Sequence, residues 1–170
     1  MMGLRYMWQF SLLAILLLLS SFFSASETAL MSLSKLRVRN MVEEKIKKAE
    51  LINKFIKEPS KLLGSILLGN NLVNIGASAL ATSLALDIFG NFGIGIATAI
   101  STVTMTILVL IIGEITPKSI AAQYPEKVSL RIIHPLSFIV KVLNPIVMVL
   151  NYTTNIFIKT LGIKINKKQP

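Results

Sequence analysis

The sequence predicts an all-helical integral membrane domain, and three observations support this fold class. The mean hydropathy is +0.68 and 53% of the 170 residues are hydrophobic, which is more apolar than an average soluble domain. Long runs with few or no charges alternate with basic segments, and several runs can cross a hydrocarbon core of about 30 Å. The Lys and Arg residues are clustered between these runs, as topology signals are in membrane proteins.

Residues 10–33 form the first predicted span. They carry one charge, Glu27, and at about 1.5 Å per residue a helix of this length crosses the bilayer. The alternative is a cleaved signal peptide, because Arg5, the apolar run 12–19 and the small residues after it imitate its three regions. The apolar character continues through Leu33, which favours a retained span.

Residues 34–58 form a basic amphipathic segment, with apolar residues at spacings of three or four. Nine of the 18 Lys and Arg residues lie between Lys35 and Lys61, so the positive-inside rule places this segment in the cytoplasm. We expect one or two juxtamembrane helices on the membrane surface, attracted to anionic lipids and ending before Pro59. Topology thus explains the net charge of +10, and we expect no nucleic-acid partner.

Two further spans follow. Residues 62–86 contain no charged residue and predict a span that runs outward. Residues 87–95 contain turn-forming glycines and no Lys or Arg, which indicates an outside connection. The third predicted span, residues 93–116, returns inward and ends near Glu114 and Pro117.

Residues 118–162 predict a belt-like interfacial segment with C-terminal helices. Within them, residues 135–162 are apolar but interrupted by polar residues, and both flanks are basic. This favours a segment that does not cross the membrane, although a fourth span stays open. The prediction is one multi-pass domain in the cell membrane over residues 1–165, with three spans, an outside N-terminus and a cytoplasmic C-terminus. Residues 166–170 then begin a linker.

The end of the third predicted span suggests a cation site. A carboxylate such as Glu114 inside a bilayer costs about 2.5–3.5 kcal/mol or more unless it is paired, hydrated or bound to a cation. Pro117 has no N–H to donate to the Gly113 carbonyl, which leaves an oxygen free beside the acid. Two oxygens at a helix break predict a site for a hard cation such as Mg²⁺, Ca²⁺ or Na⁺.

Polar residues on the first two spans lie at a similar depth, by helical rise. Each span offers two of them at i, i+4 on one face. Hydroxyl, amide, carbonyl and carboxylate oxygens suit Mg²⁺ or Na⁺, whereas a chain with no cysteine and one histidine is poorly suited to zinc, copper or iron. The predicted metal ligands are Ser24, Thr28, Asn70, Asn74, Gly113 and Glu114.

Three weaker candidates for the metal site or its surroundings are Glu27, Asn71 and Lys118. Glu27 could instead pair with Lys35 or with the headgroup region. Asn71 is rotated about 100° from its neighbour on a helix and is better placed to bond another helix. Lys118 lies four residues after Glu114 and could neutralise it. In a rival reading the domain is a membrane anchor or assembly scaffold, and its buried polar residues only hold helices together.

Three motifs resemble the transmembrane domain of the CorC/cyclin M family, also called the DUF21 domain. They are FFSASETAL at residues 22–30, LGNNLVNI at residues 68–75 and GEITPK at residues 113–118. The resemblance covers roughly residues 10–165. It implies a Mg²⁺ transporter rather than an enzyme, thought to export Mg²⁺ in exchange for Na⁺. It also implies three spans, a juxtamembrane helix pair and a homodimer with an inward-facing cation site.

The resemblance also carries over to single positions. Ser24 and its neighbours, Asn70 with Asn74, and Gly113 with Glu114 fall where the family builds its cation site, and residues 118–145 correspond to its belt-like segment. Ala25 stands where members often carry glycine. Members usually continue into cytoplasmic CBS nucleotide-binding modules, whereas this chain stops at Pro170. We therefore expect either a shortened form of a longer protein or a minimal member.

Overall fold

The computed structural model describes the backbone of residues 2–160, and within it the side chains of residues 6–158 and 160. The predicted linker 166–170 and the end of the predicted C-terminal helices lie outside the described residues. Residues 2–160 contain helices and short connections but no strand, which confirms the all-helical fold class.

Seven α-helices and one π-helical segment make up the described chain. The 3-10 turn Gly90–Phe92 joins the fourth helix to the fifth. The helices are α1 Met2–Ser32, α2 Lys35–Glu43, α3 Ala49–Lys57, α4 Pro59–Phe89, α5 Ile94–Leu108, α6 Thr116–Gln123 and α7 Pro125–Thr160, and the π segment is Val109–Ile115, between α5 and α6.

Local chemistry explains several helix ends. The Ser34 hydroxyl caps α2 by accepting a hydrogen bond from the Arg37 N–H at 3.1 Å. Pro59 opens α4, where its missing N–H costs nothing. Gly93 has φ +105°, a conformation that glycine adopts without a Cβ clash, and it lets the chain turn from the 3-10 turn into α5.

The main hydrophobic core lies where α1, α2, α3, α4 and α7 meet. Its largest fully buried side chains include Met41, Ile52, Ile66, Ile133 and Leu136. The amphipathic helices α2 and α3 therefore bury their apolar faces against the bundle. A smaller core joins α1, α4 and α5, where Ala77 and Ala81 pack with Leu17 and Met105.

Four helical stretches of the described chain are long and apolar enough to cross a membrane. They are Tyr6–Ser32, Pro59–Phe92, Ile94–Gln123 and Pro125–Ile158. A multi-pass membrane protein is thereby confirmed, whereas the three-span count and the orientation of the termini stay predictions. The helix α7 continues through Pro135 and Pro145, so these prolines do not divide the last apolar segment.

Candidate cation site

Three helical elements meet at Ser20, a fully buried residue of α1. Its hydroxyl donates a hydrogen bond to Asn70 Oδ1 of α4 at 3.2 Å. On its other side lies the π segment, because a Cβ at Gly113 would lie 2.7 Å from Ser20 Oγ. Only glycine lets the backbone come this close, and the contact brings Gly113 to the Ser20–Asn70 pair.

A second glycine sets the approach of α4 to α1. A Cβ at Gly69 would overlap the ring of Phe23, which is itself buried. The ring therefore packs directly on the α4 backbone, one residue before Asn70. This close packing fixes the rotation of α4 about its axis, so that the Asn70 side chain reaches Ser20.

Two buried oxygens near this contact have no hydrogen-bond partner, Ser24 Oγ and Asn74 Oδ1. Ser24 is fully buried and lies one turn from Ser20 on α1. Its neighbour Ser26 is equally buried, but the Ser26 hydroxyl donates to the Phe22 carbonyl at 2.6 Å. An unsatisfied buried polar group costs about 1–3 kcal/mol, so the two free oxygens suit a ligand that accepts their lone pairs.

The π segment places Glu114 on a stretch of wide helical winding. The Thr116 N–H donates to the Ile111 carbonyl, five residues earlier. In this register the carbonyl that would need the missing N–H of Pro117 is that of Ile112, one residue before the Gly113 carbonyl expected from α-helical spacing. The predicted break beside the acid is therefore a change of winding, and π-helical turns are frequent at functional sites.

The two acids of this region have different surroundings. Lys118 Nζ lies 3.8 Å from Glu27 Oε2, so the lysine links α6 to α1, and Glu27 pairs with it rather than with Lys35. Within the described part of the chain, no ion pair or hydrogen bond involves Glu114, which is half-buried. The local Glu114–Lys118 pair that helical spacing allows is not formed, and the Glu114 carboxylate stays available.

The structure does not gather all of the predicted ligands by direct contact. Thr28 is half-buried and Asn71 is exposed, and neither side chain forms a hydrogen bond with the described residues. Asn74 lies on the same face of α4 as Asn70 and lines a cavity of about 280 Å³ between α4 and α5. The set that meets is therefore Ser20, Asn70 and Gly113, with Ser24 one turn along α1.

Sequence reasoning missed Ser20. The signal was present, because Ser20, Ser24 and Thr28 follow one another at i, i+4, i+8 on one face of α1. Among the described residues no three His, Asp or Glu side chains cluster as a metal site, and the chain has no cysteine. A cation held here would depend on neutral oxygens and on one or two carboxylates.

The fold and this buried oxygen cluster define a multi-pass helical membrane domain with a polar centre. Residues 11–170 match the family described as the Cyclin M transmembrane N-terminal domain, CNNM. The chain belongs to this family of transmembrane domains.

Curated relatives agree with this assignment. The chain is 39% identical over 160 residues to a UPF0053 protein of Haemophilus influenzae, covering 94% of this chain and 37% of that protein. It is 39% identical over 150 residues to the UPF0053 inner membrane protein YfjD of Escherichia coli, covering 86% and 33%. A chloroplastic DUF21 domain-containing protein of Arabidopsis thaliana is 35% identical over 153 residues, covering 90% and 23%. The chain thus spans between 23% and 37% of the length of these relatives.

Proposed function

We propose that this domain transports Mg²⁺ through an oxygen site formed by α1, α4 and the π segment. One observation carries the proposal: the buried Ser24 oxygen has no partner, one turn from the point where Ser20 meets Asn70 and Gly113. A packed serine without a hydrogen bond is costly in a scaffold but useful in a cation site.

The donor set fits the chemistry of Mg²⁺. This ion prefers about six oxygens at 2.0–2.1 Å and gives up its water reluctantly, so a transport site needs neutral ligands besides charge. Glu114 would supply the main attraction, and Ser24, Asn70 and Asn74 the neutral oxygens, with a backbone carbonyl from Ile112 or Gly113. Ser20 joins the set because it already holds Asn70 in place.

The direction and the coupling ion belong to the same proposal. An acidic oxygen site binds either Mg²⁺ or Na⁺, and alternating access would convert their competition into Mg²⁺ export against Na⁺ entry. We further propose that the domain acts as a homodimer, and that the full-length protein also contains cytoplasmic CBS-type modules. The family membership supports these parts.

The rival proposal is a membrane anchor or assembly scaffold. The Ser20–Asn70 hydrogen bond favours it, since such bonds between transmembrane helices stabilise packing without any ligand. The unpartnered Ser24 and Glu114 favour transport, because neither contributes a hydrogen bond or ion pair to the packing of the described chain.

Thermal unfolding in detergent, with and without Mg²⁺, separates the two functions. We expect Mg²⁺ to raise the melting temperature of the chain, and Glu114→Gln to abolish most of that rise. The matched control is Glu50→Gln, the same change at an exposed acid of α3, which should keep the full rise. If Glu114→Gln keeps the full Mg²⁺ response, the site proposal is wrong. Mg²⁺ flux in reconstituted vesicles, with and without a Na⁺ gradient, then tests the coupling.

A further inference from the structure

Lys118 of α6 forms an ion pair with Glu27 of α1 beside the candidate cation site. Its Nζ atom lies 3.8 Å from Glu27 Oε2, and the two side chains are 42% and 44% exposed. Glu27 follows Ser24 by three residues, so the two side chains are neighbours on α1. An ion pair with this exposure contributes little to stability, because water solvates both charges well. The pair can therefore be removed without unfolding the chain.

A second carboxylate, that of Glu114, lies within reach of the same lysine. Glu114 precedes Lys118 by four residues, and Ile115 and Thr116 between them have helical backbone angles, with φ of −63° and −61°. Side chains at this spacing have Cβ atoms about 5–6 Å apart, and a glutamate that precedes a lysine is the favourable order. Lys118 thus has two carboxylates within reach, and in the structure it is paired with Glu27.

The packing of α6 on α1 explains this choice of partner. Ala29 of α1 and Ala121 of α6 are fully buried and form a small core with Ile132 of α7. Such small side chains let two helices approach closely. Lys118 precedes Ala121 by three residues, so it extends from the side of α6 that packs on α1. The close approach of the two helices thus brings the lysine to Glu27.

The partner of Lys118 determines the charge that a cation meets at Glu114. A lysine paired with Glu114 would cancel the charge of that carboxylate, and a cation would have to displace it before binding. A lysine paired with Glu27 leaves the Glu114 carboxylate free. Because the attraction between charges falls with distance, the position of this one ammonium group controls how strongly Glu114 attracts a cation.

We propose that Glu27 is a positioning residue, which holds Lys118 away from Glu114 and thereby keeps that carboxylate free for a divalent cation. Glu27 acts through Lys118 and does not itself bind the ion. This role rests on the proposed Mg²⁺ site, because it concerns the affinity of Glu114 for the ion.

The test is a double-mutant cycle, with Mg²⁺-dependent thermal stabilisation of the chain in detergent as the measurement. Glu27→Gln frees Lys118 to pair with Glu114 and should raise the half-saturating Mg²⁺ concentration by about two- to fivefold. In a chain that also carries Lys118→Met, the same change should have no such effect, because no lysine is left to compete. Glu43→Gln is the matched control, since it breaks another exposed ion pair, with Arg39, and should leave the Mg²⁺ response unchanged.

The outcomes separate this role from the cation site itself. An equal effect of Glu27→Gln with and without Lys118→Met overturns the positioning role, since Glu27 would then act by its own charge or as a ligand. No effect in either chain overturns it as well. Neither result affects the cation site, which is wrong if Glu114→Gln keeps the full Mg²⁺ response.

A second variant covers the case in which Glu27→Gln does not fold. Glu27→Asp keeps the charge but shortens the side chain by one methylene, which weakens the pair with Lys118. We expect a smaller rise in the half-saturating Mg²⁺ concentration, and again none in a chain that carries Lys118→Met. A rise that is the same in both chains contradicts the proposal.

Discussion

The last long helix, α7, and the helix that leads into the π segment, α5, differ in how much of each is buried within the chain. Helix α7 buries Ile133, Leu136, Val140 and Val147, whereas α5 buries only Ala97, Ser101 and Met105. Of the apolar stretch in each, 28% is buried for α7 and 17% for α5 with its π segment and α6. The segment leading to Gly113 and Glu114 is thus the more weakly packed one, and weakly packed elements are those that move at low cost.

The largest expected effect comes from a substitution in the buried face of α7. Leu136→Ala should lower the free energy of unfolding by about 2–5 kcal/mol, because it leaves a cavity in the main core. Ile107→Ala removes a side chain of α5 that is 51% exposed and should cost far less. Thermal or denaturant unfolding in one detergent measures both variants. Equal losses would show that the contrast between the two helices does not exist.

A second substitution tests the close contact between Gly113 of the π segment and Ser20 of α1. Gly113→Ala places a methyl group against Ser20 Oγ and should cost about 1–3 kcal/mol. It should also remove most of the Mg²⁺ response by pushing Glu114 away from α1. Gly95→Ala is the control, since nothing lies within 4 Å of a Cβ there. A stable Gly113→Ala protein with normal Mg²⁺ response would contradict the contact.

The substitution Ser24→Ala distinguishes the role of the Ser24 hydroxyl in the stability of the chain from its role in binding Mg²⁺. Without Mg²⁺ the variant should be as stable as the original chain or up to about 1 kcal/mol more stable, because it removes an unsatisfied buried hydroxyl. With Mg²⁺ it should gain less stability than the original chain. Ser26→Ala instead loses a satisfied hydrogen bond and should respond normally to Mg²⁺. Melting curves at several Mg²⁺ concentrations distinguish the two variants.

The smallest expected effect concerns the surface link between α2 and α7. Arg37 contacts both carboxylate oxygens of Glu126, at 2.9 and 3.1 Å, with 45% of the arginine side chain exposed. Arg37→Gln should therefore cost only about 0.2–1 kcal/mol, and less at high salt. Arg39→Gln, at a more exposed pair, should cost less still. A cost that does not fall with salt would indicate lost packing instead.

Much of the helical organisation could be predicted because its signals are local. Charge-free runs, Pro59 and the turn around Gly93 mark helix limits through backbone chemistry that a single segment contains. Packing between helices is not local in this sense. The basic flanks of residues 135–162 predict an interfacial segment, but they do not show that Leu136 and Val140 within it are fully buried in the main core.

In the candidate site, too, features set by local helical spacing could be predicted, whereas contacts between helices could not. The i, i+4 pairs and the acid near Pro117 were visible in the sequence, since helical spacing puts them on known faces. The partner of Lys118 was not, because Glu27 is far away in the chain and only the packing of α6 on α1 brings it near. The π winding was not predicted either, because Pro117 indicates a break in α-helical hydrogen bonding but does not give the register of the turns before it.

The π segment allows helix α5, which precedes it, to rotate by a defined angle. Rewinding Val109–Ile115 as an ordinary α-helix would shift the register by one residue, which corresponds to about 100° of rotation. Helix α5 would then rotate about its own axis, while the ion pair between Lys118 of α6 and Glu27 of α1 stayed in place. Glu114 lies within this segment, so its side chain would change direction relative to α1 as the winding changed.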